Sequence, residues 1–325
     1  AGRAYVAVDA HQLGDFAPYL YRTVDYGRTW ERIDDGIPRS VLSWTHVIRE
    51  DPRRPGLLYA GTESGLYVSL DDGRRWVSLQ SDLPRAPVHW IDLQPHFNDL
   101  VVGTYGRGFW ILDDITPLQQ LTPGILASDA HLFRPRPAYR FLPREDAVDL
   151  SDDPAAGENP EYGAILHLWL AEEPGGDARA EIVDPGGTVR RRLETPDLAP
   201  GLNRVHWDLR EEASSRPKLR TPPLEHGHVE VPEEGWRPLE EAGSVRPLAP
   251  PGRYTVRVVL GSDTLERGLE VLKDPSSVGS PATIRAQVEM VREIRRDVDA
   301  VVALVDRIEW VRDQLAALGS RLSGG

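Results

Sequence analysis

An eight-residue pattern, Ser/Thr-x-Asp-x-Gly-x-x-Trp, occurs twice in the first eighty residues, at positions 23–30 (the first box) and 69–76 (the second box). In each box the Asp can accept hydrogen bonds from amides further along the turn, while the Gly supplies the positive φ that closes it. The hydroxyl residue adds a local hydrogen bond, and the Trp offers an apolar face to the core. The pattern predicts a repeated β-hairpin whose structural residues are Thr23, Asp25, Gly27, Trp30, Ser69, Asp71, Gly73 and Trp76.

The sequence around the second box is itself repeated. Placing Gly61 on Gly103 aligns the neighbouring residues at a spacing of 42 and brings Asp71 onto Asp113. The first box precedes the second by 46 residues and has the same frame, with a longer loop at residues 9–18. Repeats of this length with several short strands each are typical of β-propeller blades.

Four strands are predicted for the second repeat and four for the third, at 46–49, 57–61, 66–70 and 75–79, and at 90–93, 100–104, 109–112 and 116–121. The first repeat lacks its innermost strand. Because closure of a propeller takes at least four blades, about three blades would leave open packing faces. The expected partners are therefore missing upstream blades or a second copy of the chain.

Residues 1–121 resemble the Asp-box (BNR) β-propellers of sialidases, xyloglucan-active glycosidases and sortilin. The segment 103–115 is most similar to the last blade of bacterial proteins described as sortilin-like or glycosyl-hydrolase-like. The resemblance implies a propeller followed by a β-sandwich and a helical tail, and an extracellular or periplasmic location. The predicted fold is mainly β: a partial Asp-box β-propeller of about three blades, an Ig-like β-sandwich and a long carboxy-terminal α-helix.

The remaining boundaries follow from composition and periodicity. A Pro/Gly-rich linker is predicted at 122–160 and an Ig-like or fibronectin-like sandwich at 161–273, with a mobile Pro/Glu-rich insertion at 211–250. A helix is predicted at 280–319, capped by Ser280 with Pro281 at its first position. Its heptad seam, which needs a partner surface, consists of Val291, Ile294, Val298, Val301, Val305, Ile308, Val311 and Leu315.

Composition narrows the classes of function. The net charge of −13 argues against a nucleic-acid partner, and no apolar run is long enough to span a membrane. The chain has no cysteine, which excludes disulfides and thiolate chemistry. No signal peptide is visible. No cofactor and no metal site are predicted, because His226 and His228 have chelating spacing but lack a third ligand.

The candidate binding residues lie on the loops opposite the boxes. The boxes occupy one end of the predicted sheets, and propeller ligands usually bind at the other end, which carries His11, Asp15, His46, Glu63, His89, Trp90, Tyr105 and Arg107. Among these, Glu63, Tyr105 and Arg107 are the candidate catalytic residues, since glycosidases use paired carboxylates, or a Tyr/Glu couple with Arg in sialidases. The favoured interpretation is that Glu63 and Arg107 are turn residues, and the chain offers no convincing catalytic pair.

Two functions remain open from the sequence. The favoured hypothesis is a non-catalytic recognition scaffold of a larger secreted or envelope protein that binds a protein, a peptide or a glycan. The alternative is the accessory half of a sialidase-like or xyloglucanase-like glycoside hydrolase whose main catalytic residues lie in missing upstream blades. Trp30, Trp76 and Trp110 are expected in the core under either hypothesis.

Overall fold

The computed structural model describes residues 2–141, 157–195, 198–239 and 243–323. It is mainly β, with a long helix near the carboxy terminus. Two compact units are present: the first contains Ala1–Arg136, Ile165–Gly175 and Asp197–Val205, and the second contains Pro137–Ala164, Gly176–Pro196 and His206–Gly325. Within the described ranges, no helix has both the length and the apolar content needed to cross a membrane.

Three antiparallel sheets follow one another in the first unit, each with its strands paired in chain order. The first sheet consists of β1 (Ala4–Val8), β2 (Tyr19–Thr23) and β3 (Glu31–Arg32). The second consists of β4 (Thr45–Glu50), β5 (Leu58–Thr62), β6 (Gly65–Ser69) and β7 (Val77–Ser78). The third consists of β8 (Val88–Gln94), β9 (Asp99–Thr104) and β10 (Phe109–Leu112). The four strands predicted for the second repeat are confirmed.

Two apolar layers join these sheets. The layer between the first and second sheets contains Leu20, Ile33, Ile37, Ile48, Leu58, Ala60 and Trp76. The layer between the second and third contains Val47, Leu57, Tyr59, Leu66, Val68, Val88, Ile91, Leu100, Val102 and Ile115. Because successive strand residues point to opposite faces, β5 places Leu58 in one layer and Tyr59 in the other. Each buried side chain of this size contributes about 1.5–3 kcal/mol.

The strand predicted at 116–121 is wrong, because Thr116–Gln120 forms a short helix, α1. Pro117 lies in its first turn, where a missing amide hydrogen costs nothing. The Gln119 side chain donates to Asp51 (2.8 Å) and to Asn98 (2.9 Å), which ties the helix to the second and third sheets. The third sheet consequently has three strands among the described residues.

The predicted linker at 122–160 contains regular structure in its described part. It includes α2 (Pro123–Leu126), β11 (Ala130–Leu132) and β12 (Ala138–Arg140); residues 142–156 lie outside the described residues. β11 forms a three-stranded sheet with β13 (Ala164–Leu170) and with a strand at Gly201–Trp207. Strands of three residues are too short for a periodicity to reveal, which explains why the sequence indicated only a linker.

The second unit contains a five-stranded sheet. After β13 the chain forms β14 (Ala178–Val183), β15 (Val189–Leu193), β16 (Gly201–Trp207), β17 (Lys218–Leu219), β18 (Arg237–Pro238), β19 (Gly252–Leu260) and β20 (Asp263–Lys273). The sheet order is β12-β20-β19-β14-β15, with β12 parallel to β20. The turn at Asp184 is closed by its carboxylate, which accepts from the amides of Gly186 and Thr188 at 2.9 Å each.

Helix α3 (Pro281–Ser323) begins as predicted but continues through Gly319, where the sequence predicted its end. The Ser280 hydroxyl accepts from the amide of Thr283 at 3.1 Å and so caps the first turn. Gly319 lies four residues from the end of the helix, a position at which glycine costs only about 1 kcal/mol relative to alanine.

Acidic side chains of α3 bind the insertion predicted to be mobile at 211–250. The buried Glu309 carboxylate accepts from the amides of Arg220 (2.8 Å) and Thr221 (3.0 Å), and Asp299 and Asp306 accept from two further backbone amides of the insertion. Burial raises the pKa of Glu309, but the hydrogen bonds from Thr221 and Arg220 outweigh it and hold the pKa below its usual value. The insertion, of which residues 240–242 lie outside the described part, is therefore ordered by the helix.

The apolar seam of α3 differs from the predicted one. Val291, Val298 and Val305 are half-buried on the side that carries Asp299 and Glu309. The exposed apolar residues instead alternate spacings of four and three along another face: Met290, Ile294, Val301, Leu304, Ile308, Val311, Leu315, Leu318 and Leu322. Asp297 fills the missing position between Ile294 and Val301.

Candidate functional site

The two boxes form turns with the same hydrogen bonds. In the first, the Thr23 hydroxyl accepts from the Gly27 amide (3.0 Å), and the Asp25 carboxylate accepts from the Thr29 amide (2.9 Å). Hydrogen bonds from the hydroxyl and amide of Thr29 lower the pKa of Asp25 to about 2.

The second box repeats this arrangement one sheet further along. Ser69 accepts from the Gly73 amide (3.0 Å), and Asp71 accepts from the Arg75 amide (3.0 Å). Ser69 also donates to Asp71 at 2.8 Å. Each box carboxylate thus binds its own turn, as a structural residue does.

The two box tryptophans differ in burial. Trp76 is 1% exposed, lies in the layer between the first and second sheets, and donates from its indole nitrogen to the Ile33 carbonyl. Trp30 is 45% exposed, beside the apolar residues Val6, Val8 and Tyr21 of the first sheet. The expectation that both would be core residues holds for Trp76 only; Trp110 is also partly exposed. A box tryptophan is buried where a preceding sheet covers it.

At the opposite end of the sheets, side chains from separate strands converge. Nε2 of His46, on β4, lies 2.9 Å from a carboxylate oxygen of Glu63, in the turn between β5 and β6. The His89 ring, on β8, stacks on the His46 ring with centroids 4.1 Å apart. One ligand atom from each of these residues lies within 4.8 Å of the other two, which defines the His–Glu–His cluster.

Backbone irregularities orient the imidazole rings of both histidines. The pairing of β4 with β5 skips one residue at His46, and the pairing of β8 with β9 skips one residue at His89. Both histidines are therefore the extra residues of β-bulges, which redirect side chains and are frequent beside active sites. The sheets approach closely here, since a Cβ added to Gly61 would lie 2.4 Å from the Val88 carbonyl oxygen.

A row of aromatic rings passes through the cluster. Its consecutive centroid distances are 5.0 Å from His11 to Trp44, 6.2 Å from Trp44 to His46, 4.1 Å from His46 to His89, and 5.7 Å from His89 to Tyr105. We call these five residues the ring row. Three of the four contacts are stacked, and Tyr105, at the end of the row, is 73% exposed.

Burial and neighbouring charges shift the pKa of His89 below its ordinary value. Burial, followed by the adjacent His46, lowers the pKa of His89, against the opposing effect of Glu63 and Asp9. Burial raises the pKa of Asp9, but hydrogen bonds from the amide and the ring of His11 outweigh burial and hold the pKa below its usual value. The cluster therefore brings the Glu63 carboxylate together with two imidazole rings.

The predicted catalytic residues do not form one group. Glu63 belongs to the cluster and Tyr105 stacks on it, whereas Arg107 is exposed and its carbonyl accepts from the Trp110 indole at 2.9 Å. Within the described ranges, no hydrogen bond or ion pair joins Arg107 to Glu63. Asp15 accepts from the Tyr19 hydroxyl and the Ala17 amide, in its own loop.

Sequence reasoning placed His46 and His89 at this end but did not group them with Glu63 as ligands. It missed Trp44 and Asp9 altogether. The available signal was the spacing of 43 residues between the histidines, which is within one residue of the repeat of 42 and places them at equivalent positions. His226 and His228 contact each other edge to face at 5.8 Å, and in the described part of the chain only the His–Glu–His cluster meets the geometric requirement for three metal ligands.

Comparison with known proteins adds no assignment. A scan against protein-family models and a search of curated proteins both found no match to the chain.

Proposed function

We propose that the chain is the recognition portion of a larger secreted or envelope bacterial protein of the Asp-box propeller type, and that it binds a glycan or a peptide without chemical conversion. The single observation that carries this proposal is the ring row. Stacked, partly exposed rings on a rigid sheet provide large contact area at little cost in conformational entropy.

The assignment to a partial propeller rests on the repeated sheets and boxes. Each sheet pairs its strands in chain order, and each box closes the same turn with the same hydrogen bonds. The exposed Trp30, Val6 and Val8 form an apolar surface on the first sheet. In this proposal a further blade covers that surface, as the first sheet covers Trp76. An Ig-like sandwich following the propeller is part of the same proposal.

Binding can be tested with a panel of immobilised neutral and acidic oligosaccharides and short peptides. The variants Trp44→Ala and Tyr105→Ala should lose binding to whichever probe the wild type retains. Trp90→Ala is the matched control, because Trp90 is 60% exposed, lies on β8, and contacts Arg49 outside the ring row. Equal binding by all four proteins, or binding by none, would contradict the proposal.

The alternative proposal, the accessory half of a glycoside hydrolase, is favoured by the presence of Glu63 and Tyr105 at the same end of the sheets, where Glu63 contacts His46 and Tyr105 stacks on His89. A glycosidase needs a second group about 5–10 Å from the first carboxylate. Hydrolysis of aryl glycosides by this chain, abolished in Glu63→Gln, would replace the recognition proposal with this one. If neither the wild type nor Glu63→Gln hydrolyses aryl glycosides, the result would support the recognition proposal.

A further inference from the structure

We propose that the His–Glu–His cluster binds one divalent transition-metal ion of the zinc type. Two imidazoles and one carboxylate are ligands that such ions take in proteins, whereas Mg²⁺ and Ca²⁺ prefer oxygen ligands alone. This inference is independent of the proposed recognition function, because the ion could bind whether or not a glycan or peptide does.

The spacing of the ligand atoms suits one ion. Zinc bonds to nitrogen and oxygen of about 2.0–2.2 Å place tetrahedral ligand atoms roughly 3.5 Å apart. The His46 nitrogen and the Glu63 oxygen are 2.9 Å apart, and the set lies within 4.8 Å. His89, which is exposed, supplies the third ligand atom within this distance of the other two.

The bulges are the second, independent observation. A His–Glu ion pair requires only one redirected imidazole, yet β4 and β8 each carry a one-residue bulge at the histidine. Two bulges at equivalent positions of neighbouring sheets bring two imidazoles to the same carboxylate. One carboxylate and two imidazoles at this spacing form a ligand set that a cation completes.

The site keeps one coordination position for an outside ligand. Three protein ligands leave the fourth position of a tetrahedral ion to water or to a bound molecule. His89 and Tyr105 form the exposed part of the site, from which an outside molecule would reach the ion. An ion at this position would bind carboxylate or hydroxyl groups of a molecule lying along the ring row.

Titration of the full chain with ZnCl₂ in a non-chelating buffer, followed by calorimetry, tests the site. We expect one ion per wild-type chain. Glu63→Gln and His89→Ala should each lower the zinc affinity by at least about 100-fold, which is more than replacing a residue that only supports a metal ligand usually does. The His226→Ala/His228→Ala double variant, which removes the other close histidine pair, should bind as the wild type does. Unchanged unfolding midpoints and circular dichroism would show that the variants fold.

Cobalt supplies a readout of geometry. Co²⁺ added to the wild type should give the intense visible absorption of a tetrahedral nitrogen and oxygen site, and Glu63→Gln should abolish it. Wild-type binding weaker than about 1 mM, or loss of binding only in the His226/His228 variant, would overturn the proposal.

A second inference rests on a different observation, the exposed seam of α3. We infer that this seam binds the same seam of a second copy, antiparallel. Met290 to Leu322 covers about 48 Å of helix. An antiparallel partner in one register pairs Met290 with Leu322, Ile294 with Leu318, Val301 with Val311 and Leu304 with Ile308.

The charge at seam position 297 favours this orientation over a parallel one, while the same register also brings the two Arg307 side chains together. The antiparallel register places Glu293 beside Arg321 of the other copy and Asp297 opposite Leu315. A parallel pair would instead place the Asp297 carboxylates of the two copies against each other in the seam. Both Glu293 and Arg321 are exposed.

Because the chain has no cysteine, single cysteines report the orientation. Arg307→Cys should form a disulfide-linked dimer on oxidation, since the antiparallel register brings residue 307 of both copies together. Leu322→Cys should not, because its counterpart lies at the far end of the helix. The reverse pattern would overturn the antiparallel inference, and a wild-type monomer in light scattering at high concentration would overturn the dimer.

Discussion

The two ends of the second sheet differ in how they use a carboxylate. At the box end, Asp71 binds the hydroxyl and the amide of residues within its own turn. At the cluster end, Glu63 binds His46, which is 17 residues away, and His89 joins them from the neighbouring sheet. A local carboxylate stabilises a turn, whereas a carboxylate that gathers distant imidazoles creates a binding site. Changes at the box end should affect stability, and changes at the cluster end should affect binding.

The largest expected effect is at the box end. Trp76→Ala removes a fully buried indole and should lower the free energy of unfolding by about 3–5 kcal/mol. Trp30→Ala, the same change in the exposed copy, should cost about 1 kcal/mol or less. Urea unfolding measures both values; equal losses would contradict the claim that a preceding sheet determines what the box tryptophan contributes.

A substitution at Gly61 should affect both stability and zinc binding. Gly61→Ala would place a Cβ 2.4 Å from the Val88 carbonyl oxygen, so the sheets must separate at a cost of about 1–3 kcal/mol. The displacement moves His89 away from His46, and zinc affinity should fall although no ligand is changed. Calorimetry and urea unfolding on the same sample test this; unchanged zinc affinity would show that the approach of the sheets does not position His89.

The box glycines offer a smaller, matched contrast. Gly27 and Gly73 both have a φ of +83°, so alanine is strained at either position. At Gly73 the added Cβ would also lie 2.5 Å from Ile33 Cδ1, whereas at Gly27 the nearest atom is 3.8 Å away. Gly73→Ala should therefore be the more destabilising by about 1 kcal/mol. A greater loss in Gly27→Ala, measured by thermal unfolding, would contradict the packing described for the second box.

The smallest effect is the titration of Asp25. Its pKa falls from 3.8 to about 2 in the folded chain, so the unfolded chain binds more protons between these values. The contribution of Asp25 is present above pH 3.8 and is lost as the pH falls towards 2. Unfolding measured across this window should depend less on pH in Asp25→Asn than in the wild type. Identical pH profiles would show that the turn does not stabilise the charged form.

Much of the first unit could be predicted because its information is local. The boxes and the period of about 42–46 residues indicated strands at the right places and identified box carboxylates as turn residues. The helix at Thr116–Gln120 could not be predicted from the repeat, because the side-chain bonds of Gln119 to Asp51 and Asn98 depend on the folded arrangement. The same limit applies to Glu309, whose amide partners lie 88 and 89 residues away.

The candidate site was only partly predictable. Glu63, Tyr105, His46 and His89 were assigned to the correct end, but a bulge is set by strand register, which sequence alone does not specify. Trp44 lay outside the loops expected to carry the site.

A comparison of Asp71→Ala with Glu63→Gln tests the central claim most directly. Both the free energy of unfolding and the zinc affinity should be measured for each variant. Asp71→Ala should lose about 1–2 kcal/mol of stability and retain the affinity of the wild type, while Glu63→Gln should lose the affinity and retain the stability. The opposite pairing of effects would contradict the assignment of one end to structure and the other to binding.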